Sequence, residues 1–537
     1  MTDTMEAFFT AVWSSMAQLQ PLGSIALAAT ESSLVTSVLA TLACALLTVF
    51  LSTVFWRWHF ENSRDSFSSL PLPPGSFGWP LIGETLHYVL RGMTEYTNKR
   101  RKYGTIYKTH LLGSPTVRVE SDDRVAFLSS KEPHILSSSS GLPKSARSIF
   151  GARSVIVVSG DEHAALKKDL SQAFIPVRLR DYLPIVQDCV RRHVTSWAQG
   201  VDENKMLGFK ACQRLVCDLI LETVVGCTRD QDPDGKVREA LVTCNDNLFC
   251  VPFAIPGLAF HKALKARKIV EDFAKRRLAA AASSEKDAVS VLDVLVAHLR
   301  KDEESSSGEN AARNDIQQSK TSAGQFETEL VDNAVSFFIA GADTVTSALC
   351  SILKLLGKHP EKLAALRREL EFQELLDSDQ GNNLSFELLQ SLSYVRAINK
   401  EVLRLLPPVG GLFRFTKSMI ELEDYQIPAH WRVVYGVRGI HEENRAFTNK
   451  DEFLPERWLD PGFEEKLNAK FPCSYAPFGI GARTCLGKEL ALLQMSVFVV
   501  EVARLVDWTL LNPDARRVFL PVEKPFDNLP VTFRKRK

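Results

Sequence analysis

The chain has almost no net charge and few cysteines, and both absences narrow what it can do. Its 65 Lys and Arg residues balance 64 Asp and Glu residues, giving a net charge of +1, so no basic surface for nucleic acid is indicated. The 10 cysteines are scattered and include no Cys-x-x-Cys pair, which argues against a disulfide scaffold and a structural zinc site. We expect reduced, mostly buried thiols in a protein that faces the cytosol.

Long apolar stretches are also scarce. With 45% hydrophobic and 24% charged residues, the composition is that of a globular protein and excludes general disorder, collagen and a many-helix membrane transporter. A chain of 537 residues would make roughly three or four domains of about 150 residues each. A large helical enzyme can also form a single fold of this size.

Residues 32–56 are the exception, because they contain no charged side chain. About 20 apolar residues suffice for one transmembrane helix, so residues 1–56 are predicted to be an N-terminal segment with a single-pass anchor at about 32–56. No Lys or Arg precedes Arg57, and the positive-inside rule therefore places the rest of the chain in the cytosol. A cleaved signal peptide is the alternative, but it would need a basic beginning and a shorter apolar core.

Prolines and helical periodicity organise the rest of the chain. Pro71, Pro73, Pro74 and Pro80 cannot continue a helix and predict a stiff, proline-rich linker over residues 57–83. Beyond it helical spacing of apolar residues dominates, and the polar stretch 302–321 is predicted to be a mobile insertion. Helices are expected at 180–198, 208–226, 264–281, 328–357, 385–406 and 486–505, and strands at 105–110, 116–119 and 432–437.

Cys485 stands in a different setting from the other cysteines. Gly479 and Gly481 before it allow a tight turn, and Gly487 after it allows the backbone to approach a flat partner closely. Apolar residues then recur at helical spacing, so Cys485 lies near a helix N-terminus, where the helix dipole and Arg483 favour a thiolate. Such a thiolate can ligate haem iron, and a buried cysteine after an ordinary turn is the alternative.

Residues 478–487, with the sequence Phe-Gly-Ile-Gly-Ala-Arg-Thr-Cys-Leu-Gly, closely resemble the haem-binding signature of the cytochrome P-450 family. The resemblance implies a mainly α fold, in which one large helical haem domain with small β-sheets covers residues 84–537 and follows the transmembrane helix. It also implies that Cys485 is the axial thiolate ligand of the iron in haem b, and that Phe478, Gly479 and Arg483 bind the haem.

A second motif lies in the longest predicted helix. Gly341 in mid-helix costs about 1 kcal/mol relative to Ala, and Asp343 followed by Thr344 offers an acid and a hydroxyl that can move protons. A core helix that tolerates one polar pair is the alternative. Residues 340–345 resemble the oxygen-activating helix of the same family, which implies that Thr344 and Asp343 are catalytic and deliver protons.

Glu401 and Arg404 stand at i and i+3, on one face of a predicted helix, where they can pair. An exposed pair of this kind is common and contributes little. Together with Arg457, however, they resemble a structural network of the family that lies behind the haem and serves folding rather than chemistry.

The haem propionates also have candidate partners. Lys167, which follows His163 in the segment His-Ala-Ala-Leu-Lys, and Arg414 occupy positions that resemble propionate-binding positions of the family. Two buried carboxylates need cations. The resemblance therefore implies that Lys167, Arg414 and Arg483 bind the haem propionates.

Finer details resemble the retinoic acid hydroxylases of this family. The stretches are 73–75 with 83–86, 100–110, 113–119, 425–428, 447–453 and 527–530. The resemblance implies a haem-thiolate monooxygenase that hydroxylates a hydrophobic terpenoid or lipid, retinoic acid first among the candidates. Two departures are Ala-Gly-Ala-Asp-Thr-Val at 340–345, where those hydroxylases have Gly-Gly-His-Glu-Thr-Thr, and Leu142 in place of an aromatic residue. Because such residues set substrate choice, a sterol or another terpenoid is the alternative substrate.

Two other functions compete. An isomerase or dehydratase of the same fold would often lack the acid–hydroxyl pair, and a non-catalytic lipid carrier would not need Cys485 in a haem loop. The monooxygenase would take electrons from NADPH-cytochrome P-450 reductase, since no part of the chain resembles a fused flavin domain. Its expected partners are this reductase, a hydrophobic small molecule and membrane lipid, with no nucleic acid. The expected location is the endoplasmic reticulum membrane, with the catalytic domain facing the cytosol.

Overall fold

The computed structural model divides the chain into two compact units, one ending at Asn62 and the other beginning at Ser63. Each unit is described by itself below. The residues described are 31–80, 82–132, 134–199, 205–227, 231–283, 289–306, 316–376, 383–519 and 521–536.

In the part of the first unit that the structure describes, residues 31–62, helix α1 covers Glu31–Glu61. Its part Leu39–Glu61 is long and apolar enough to cross a membrane. None of the apolar stretch within that part (0%) is buried in the structure. Leu46 and Phe50 are among its exposed side chains. The helix continues past the predicted end of the anchor at Trp56, so the first residues of the predicted linker are helical.

Helices make up most of the second unit, as the sequence predicts. The longest, α13 (Ile316–Lys358), has 43 residues. Its part Glu327–Lys358 is also apolar enough to cross a membrane, but 78% of the apolar stretch in that part is buried inside the unit. The helices are α2 (Thr85–Arg91), α3 (Met93–Tyr103), α4 (Asp122–Ser130), α5 (Ser138–Gly141), α6 (Lys144–Phe150), α7 (Gly160–Ser171), α8 (Pro176–Ala198), α9 (Gly208–Leu219), α10 (Lys236–Asp246), α11 (Ala259–Ser283), α12 (Val291–Ser306), α13 (Ile316–Lys358), α14 (Pro360–Phe372), α15 (Phe386–Ser391), α16 (Ser393–Leu405), α17 (Val437–Glu443), α18 (Phe463–Lys470) and α19 (Lys488–Leu505).

Two predictions about helices need correction. The helix predicted at 385–406 is broken at Leu392, whose backbone is not helical and whose side chain is buried. The stretch 302–321, predicted to be a mobile insertion in loop form, is helical at both ends, since α12 runs to Ser306 and α13 begins at Ile316. Its polar residues include Glu, Lys and Gln, which are good helix formers. Residues 307–315 lie outside the described part of the chain.

Small sheets complete the second unit. The largest has five strands in the order β1-β2-β8-β5-β3, with β2 and β8 parallel and the other pairs antiparallel. A second sheet has the order β4-β12-β9, and two hairpins pair β6 with β7 and β10 with β11. The strands are β1 (Ile106–Leu111), β2 (Ser114–Val119), β3 (Leu136–Ser137), β4 (Met206–Leu207), β5 (Leu412–Thr416), β6 (Ile420–Leu422), β7 (Tyr425–Ile427), β8 (Arg432–Tyr435), β9 (Val506–Leu510), β10 (Arg517–Val518), β11 (Lys524–Pro525) and β12 (Pro530–Lys535).

The proline-rich segment is held against β1. The backbone N–H of Lys108 donates to the carbonyl of Pro74 at 2.8 Å, and Gly75 forms a parallel bridge with Lys108. Gly75 has φ +140°, and a Cβ there would lie 2.1 Å from the Lys108 carbonyl oxygen, so only glycine allows this approach. The part of the predicted linker beyond Ser63 therefore belongs to the large unit.

Helix α13 passes through the main hydrophobic core and packs against α9, α10, α11, α16 and α19. Its inward positions include Val335, Phe338 and Ile339, all almost fully buried. Because helix packing fixes the position of α13, the polar residues in its middle have fixed neighbours on α9. The core thus positions the motif around Asp343.

Candidate active site

The loop that carries Cys485 is closed by backbone hydrogen bonds. The Cys485 N–H donates to the Phe478 carbonyl at 2.8 Å, and the Gly479 N–H donates to Ala476 at 3.1 Å. Gly479 and Gly481 have φ of +84° and +65°, a backbone conformation that favours glycine. The two predicted glycines therefore make the turn that places Cys485 just before α19, which begins at Lys488.

The Cys485 side chain is exposed, unlike the other cysteines in the described part of residues 63–536, which are buried or half-buried. The pKa of its thiol is raised, because desolvation by the surrounding protein outweighs the Gly487 backbone N–H and the ammonium groups of Lys167 and Lys488, which lower that pKa. A cysteine that stays accessible and has cations beside it can act as a metal ligand. At Gly487 an added Cβ would meet nothing within 4 Å, so there is open space beside this loop.

Lys167 and Arg483 both hold backbone carbonyls. Lys167 Nζ donates to the carbonyls of Ala482 and Thr484 at 2.7 and 2.8 Å, so α7 is joined to the cysteine loop. Arg483 donates through Nη1 and Nη2 to Val155 and Val158 at 3.1 and 2.6 Å. A lysine has three donors and an arginine five, so each side chain keeps donors beyond these contacts.

Arg414, on β5, is buried and donates through Nε to a carboxylate oxygen of Glu132. The same Glu132 oxygen accepts a hydrogen bond from the Tyr435 hydroxyl at 3.2 Å. Gly141 lies so close that a Cβ there would be 2.7 Å from the Arg414 carbonyl carbon. Arg414 is therefore fixed between β8 and the α5 turn, with one carboxylate as its partner.

Lys167, Arg414 and Arg483 are cationic side chains whose charges act on one another and on His163. Burial first, and then Arg414, lower the pKa of Arg483 to about 10. Burial, Arg483 and Lys167 lower the pKa of His163 to about 4, so His163 is neutral at physiological pH. These side chains together with an accessible thiol fit an iron porphyrin, since the thiolate suits the metal and the cations suit two carboxylates.

The predicted catalytic pair on α13 makes separate contacts. The Thr344 hydroxyl donates to the Ala340 carbonyl at 2.8 Å. Asp343 is 2% exposed and its Oδ1 accepts from Gln213 Nε2 on α9 at 3.2 Å. Successive helix residues point about 100° apart, which explains the separate partners. Burial raises the pKa of Asp343.

Glu401, Arg404 and Arg457 form the network that the sequence predicts. Arg404 donates to both carboxylate oxygens of Glu401 at 2.9 Å, and Arg457 Nε donates to Oε1 at 3.1 Å. Trp458 Nε1 adds a bond to Oε2 at 2.8 Å. Glu401 is 0% exposed, so the network is a buried ion cluster with all its main groups paired.

Sequence reasoning does not find Glu132, Gln213 or Trp458. Glu132 and Gln213 are separated from their partners by 282 and 130 positions, and no local pattern marks either of them. Trp458 could have been found, because it directly follows Arg457 in a Pro-Glu-Arg-Trp run.

An accessible thiol at a helix start, with cations gathered beside it in a mainly helical fold, is the arrangement of a haem-thiolate protein. Comparison with known proteins agrees: the family model for cytochrome P450 matches residues 73–519. The chain therefore belongs to the cytochrome P450 family, and it is a monooxygenase, an oxidoreductase.

Individual relatives are similar over almost the whole chain. Cytochrome P450 26A1 from Gallus gallus is 35% identical over 506 residues, which is 94% of this chain and 98% of that protein. Cytochrome P450 26C1 from Homo sapiens is 33% identical, over 92% and 94% respectively. A solved structure described as retinoic acid bound cyanobacterial CYP120A1 has a TM-score of 0.75 and 28% identity, and covers 87% of this chain and 100% of its own.

Proposed function

We propose that this monooxygenase hydroxylates a retinoid, with retinoic acid as the first candidate. The observation that carries the proposal is the similarity in both fold and sequence to the cyanobacterial structure with bound retinoic acid. Segments that resemble retinoic acid hydroxylases, from residues 73–75 to 527–530, support it.

In the proposed reaction haem b would supply the binding and reductive activation of dioxygen. Cys485 would hold the iron, while the free donors of Lys167, Arg414 and Arg483 would bind the propionates. The Glu132 carboxylate would keep Arg414 oriented, since it already accepts from the Arg414 guanidinium. Asp343 and Thr344 would hold and move the protons that the reaction consumes.

The proposed electron donor is NADPH-cytochrome P-450 reductase. Lys488 is half-buried at the start of α19, three positions from Cys485, and its ammonium lies 3.4 Å from a Glu489 oxygen, so it offers a partly balanced positive charge close to the thiol. An acidic partner surface would be attracted there. This part of the proposal rests on family membership and on the position of Lys488.

We also propose that α1 anchors the protein in the endoplasmic reticulum membrane with the large unit in the cytosol. Arg57 is the first basic residue of the chain, and Val251, Phe253 and Ile255 of the large unit are exposed, as an apolar loop in contact with lipid would be. A glycosylation acceptor placed ahead of residue 31 is expected to be modified in microsomes, while added protease digests the large unit. Protection of the large unit from protease would contradict this orientation.

Titration of retinoic acid into the ferric holoenzyme is expected to give a saturable spin-state change, because a bound apolar molecule removes water from the haem. The retinoic acid concentration that gives half of this change is expected to be at least about tenfold lower than the corresponding cholesterol concentration. A site that hydrogen-bonds a polar end group strongly rejects a ligand that lacks that group. Retinol, which has the same carbon skeleton without the carboxylate, is the matched control ligand. A response to cholesterol and none to retinoids would assign a sterol substrate instead.

A further inference from the structure

The side chain of Gln213 links two buried or half-buried charged groups across the contact between α9 and α13. Its Nε2 donates to Asp343 Oδ1 at 3.2 Å, and its Oε1 accepts from Lys210 Nζ at 3.0 Å. Gln213 is 5% exposed and Asp343 2%. The orientation of this buried amide is fixed, because both its oxygen and its nitrogen make a hydrogen bond.

Lys210 decides which way the amide points. A lysine ammonium only donates hydrogen bonds, so Gln213 must turn its oxygen to Lys210 and its NH₂ group to Asp343. A flipped amide would place two donor groups against each other at Lys210. Asp343 Oδ1 is consequently an acceptor, and a proton on this carboxyl must sit on Oδ2.

Oδ2 of Asp343 is buried and makes no hydrogen bond to the described residues. Burial raises the pKa of Asp343; the Gln213 hydrogen bond, Lys524 and Lys210 lower it, and Asp246 raises it. Cys217, one turn along α9 from Gln213, also lies within electrostatic reach of Asp343. A buried carboxyl with one unbonded oxygen is a group that can carry a proton and release it.

Lys210, Asp246 and Lys524 also line a pocket of about 400 Å³, together with Val89 and Phe526. Val89 and Phe526 are exposed, so this pocket opens to solvent. Lys524 pairs with Asp246 at 3.5 Å. The Lys210 ammonium, which lines this pocket, thus binds one end of the Gln213 amide, while the other end holds the Asp343 carboxyl, next to Thr344 in the chain.

We infer that Gln213 is a positioning residue for the monooxygenase reaction: it fixes the Asp343 carboxyl so that Oδ2 carries the proton to be delivered. On delivery the proton leaves Oδ2, which leaves a carboxylate, and a proton taken up from solvent restores the acid. Gln213 itself gives up no proton. The inference rests on the proposed function, in which Asp343 delivers protons.

The first test is infrared difference spectroscopy of the reduced, carbon-monoxide-bound holoenzyme, which needs no turnover. A carboxylic acid C=O band that is sensitive to deuterium and absent from Asp343→Asn is expected. In Gln213→Leu this band is expected at higher wavenumber, because the C=O loses a hydrogen bond. A band that does not move in Gln213→Leu would overturn the positioning role.

The second test is the share of NADPH electrons that ends in hydroxylated product rather than in hydrogen peroxide. For Gln213→Leu we expect this share to fall about fivefold, which corresponds to the free energy of one lost hydrogen bond. The solvent deuterium isotope effect is expected to be larger, and the substrate concentration at half-saturation is expected to be unchanged. Unchanged coupling would overturn the inference.

Gln187→Leu is the matched control, since Gln187 is equally buried and donates to a different carboxylate, Glu501, at 2.8 Å. Gln187→Leu is expected to lose stability while the infrared band and the coupling stay as in the wild type. If both variants changed the band and the coupling alike, Gln213 would have only a structural role. A wild-type enzyme without the carbon monoxide spectrum of thiolate haem would refute the proposed function instead.

Discussion

The Cys485→Ala protein is expected to lose the long-wavelength Soret band that a reduced haem-thiolate protein shows with carbon monoxide, and to lose turnover completely. The side chain is the exposed thiol of the cysteine loop, and alanine offers the iron no ligand. Absorption spectra of the purified, dithionite-reduced protein measure the first effect, and product formation measures the second.

Cys473→Ala is a suitable control, because Cys473 precedes the same loop and is half-buried. The pKa of its thiol is raised by burial and by Asp122, and no cation among the described residues lowers it. We expect the control to keep both the spectrum and the activity. Normal thiolate spectra in Cys485→Ala, or their loss in the control alone, would refute the ligand assignment.

The Glu401→Gln protein is expected to lose about 3–5 kcal/mol of unfolding free energy, the cost of breaking a buried ion cluster from one side. The carboxylate accepts bonds from Arg404, Arg457 and Trp458, and the amide would leave two guanidinium groups without a counter-charge. Urea unfolding of the holoenzyme gives the free energy, and the yield of haem-loaded protein gives a second measure.

Glu456→Gln provides the comparison on the surface. Glu456 pairs with Lys362 at 3.0 Å with 45% of its side chain exposed, so its loss is expected to cost at most about 1 kcal/mol. The cost of Glu401→Gln should therefore exceed that of Glu456→Gln by several-fold. Equal losses would mean that the buried cluster contributes no more than a surface pair.

Sequence predicts this molecule best where a few neighbouring residues determine the geometry. The turn before Cys485 needs glycines at positive φ, and Gly479 and Gly481 stand at those positions. The Glu401–Arg404 pair follows from i,i+3 spacing on one helix. Helix α13 could be predicted because its apolar residues recur over many turns.

Contacts between distant segments could not be predicted in this way. Nothing near Asp343 shows that it faces Gln213, because the neighbour depends on how α9 packs against α13. Lys167 is predicted to bind a haem propionate, but its sequence position does not show that two of its donors bond to carbonyls of the cysteine loop. Helical periodicity alone also misses the break at Leu392, whose backbone is not helical and whose side chain is buried.

The contact between the proline-rich segment and β1 has a consequence for aggregation. Strand β1 is the edge of the five-stranded sheet, and an unpaired edge is a template for joining another chain. Pro74 and Gly75 occupy part of that edge at Lys108, while prolines themselves offer no N–H to a newcomer. A soluble form of the protein should therefore begin ahead of Pro71, because a shorter chain would leave the edge of β1 open to another molecule.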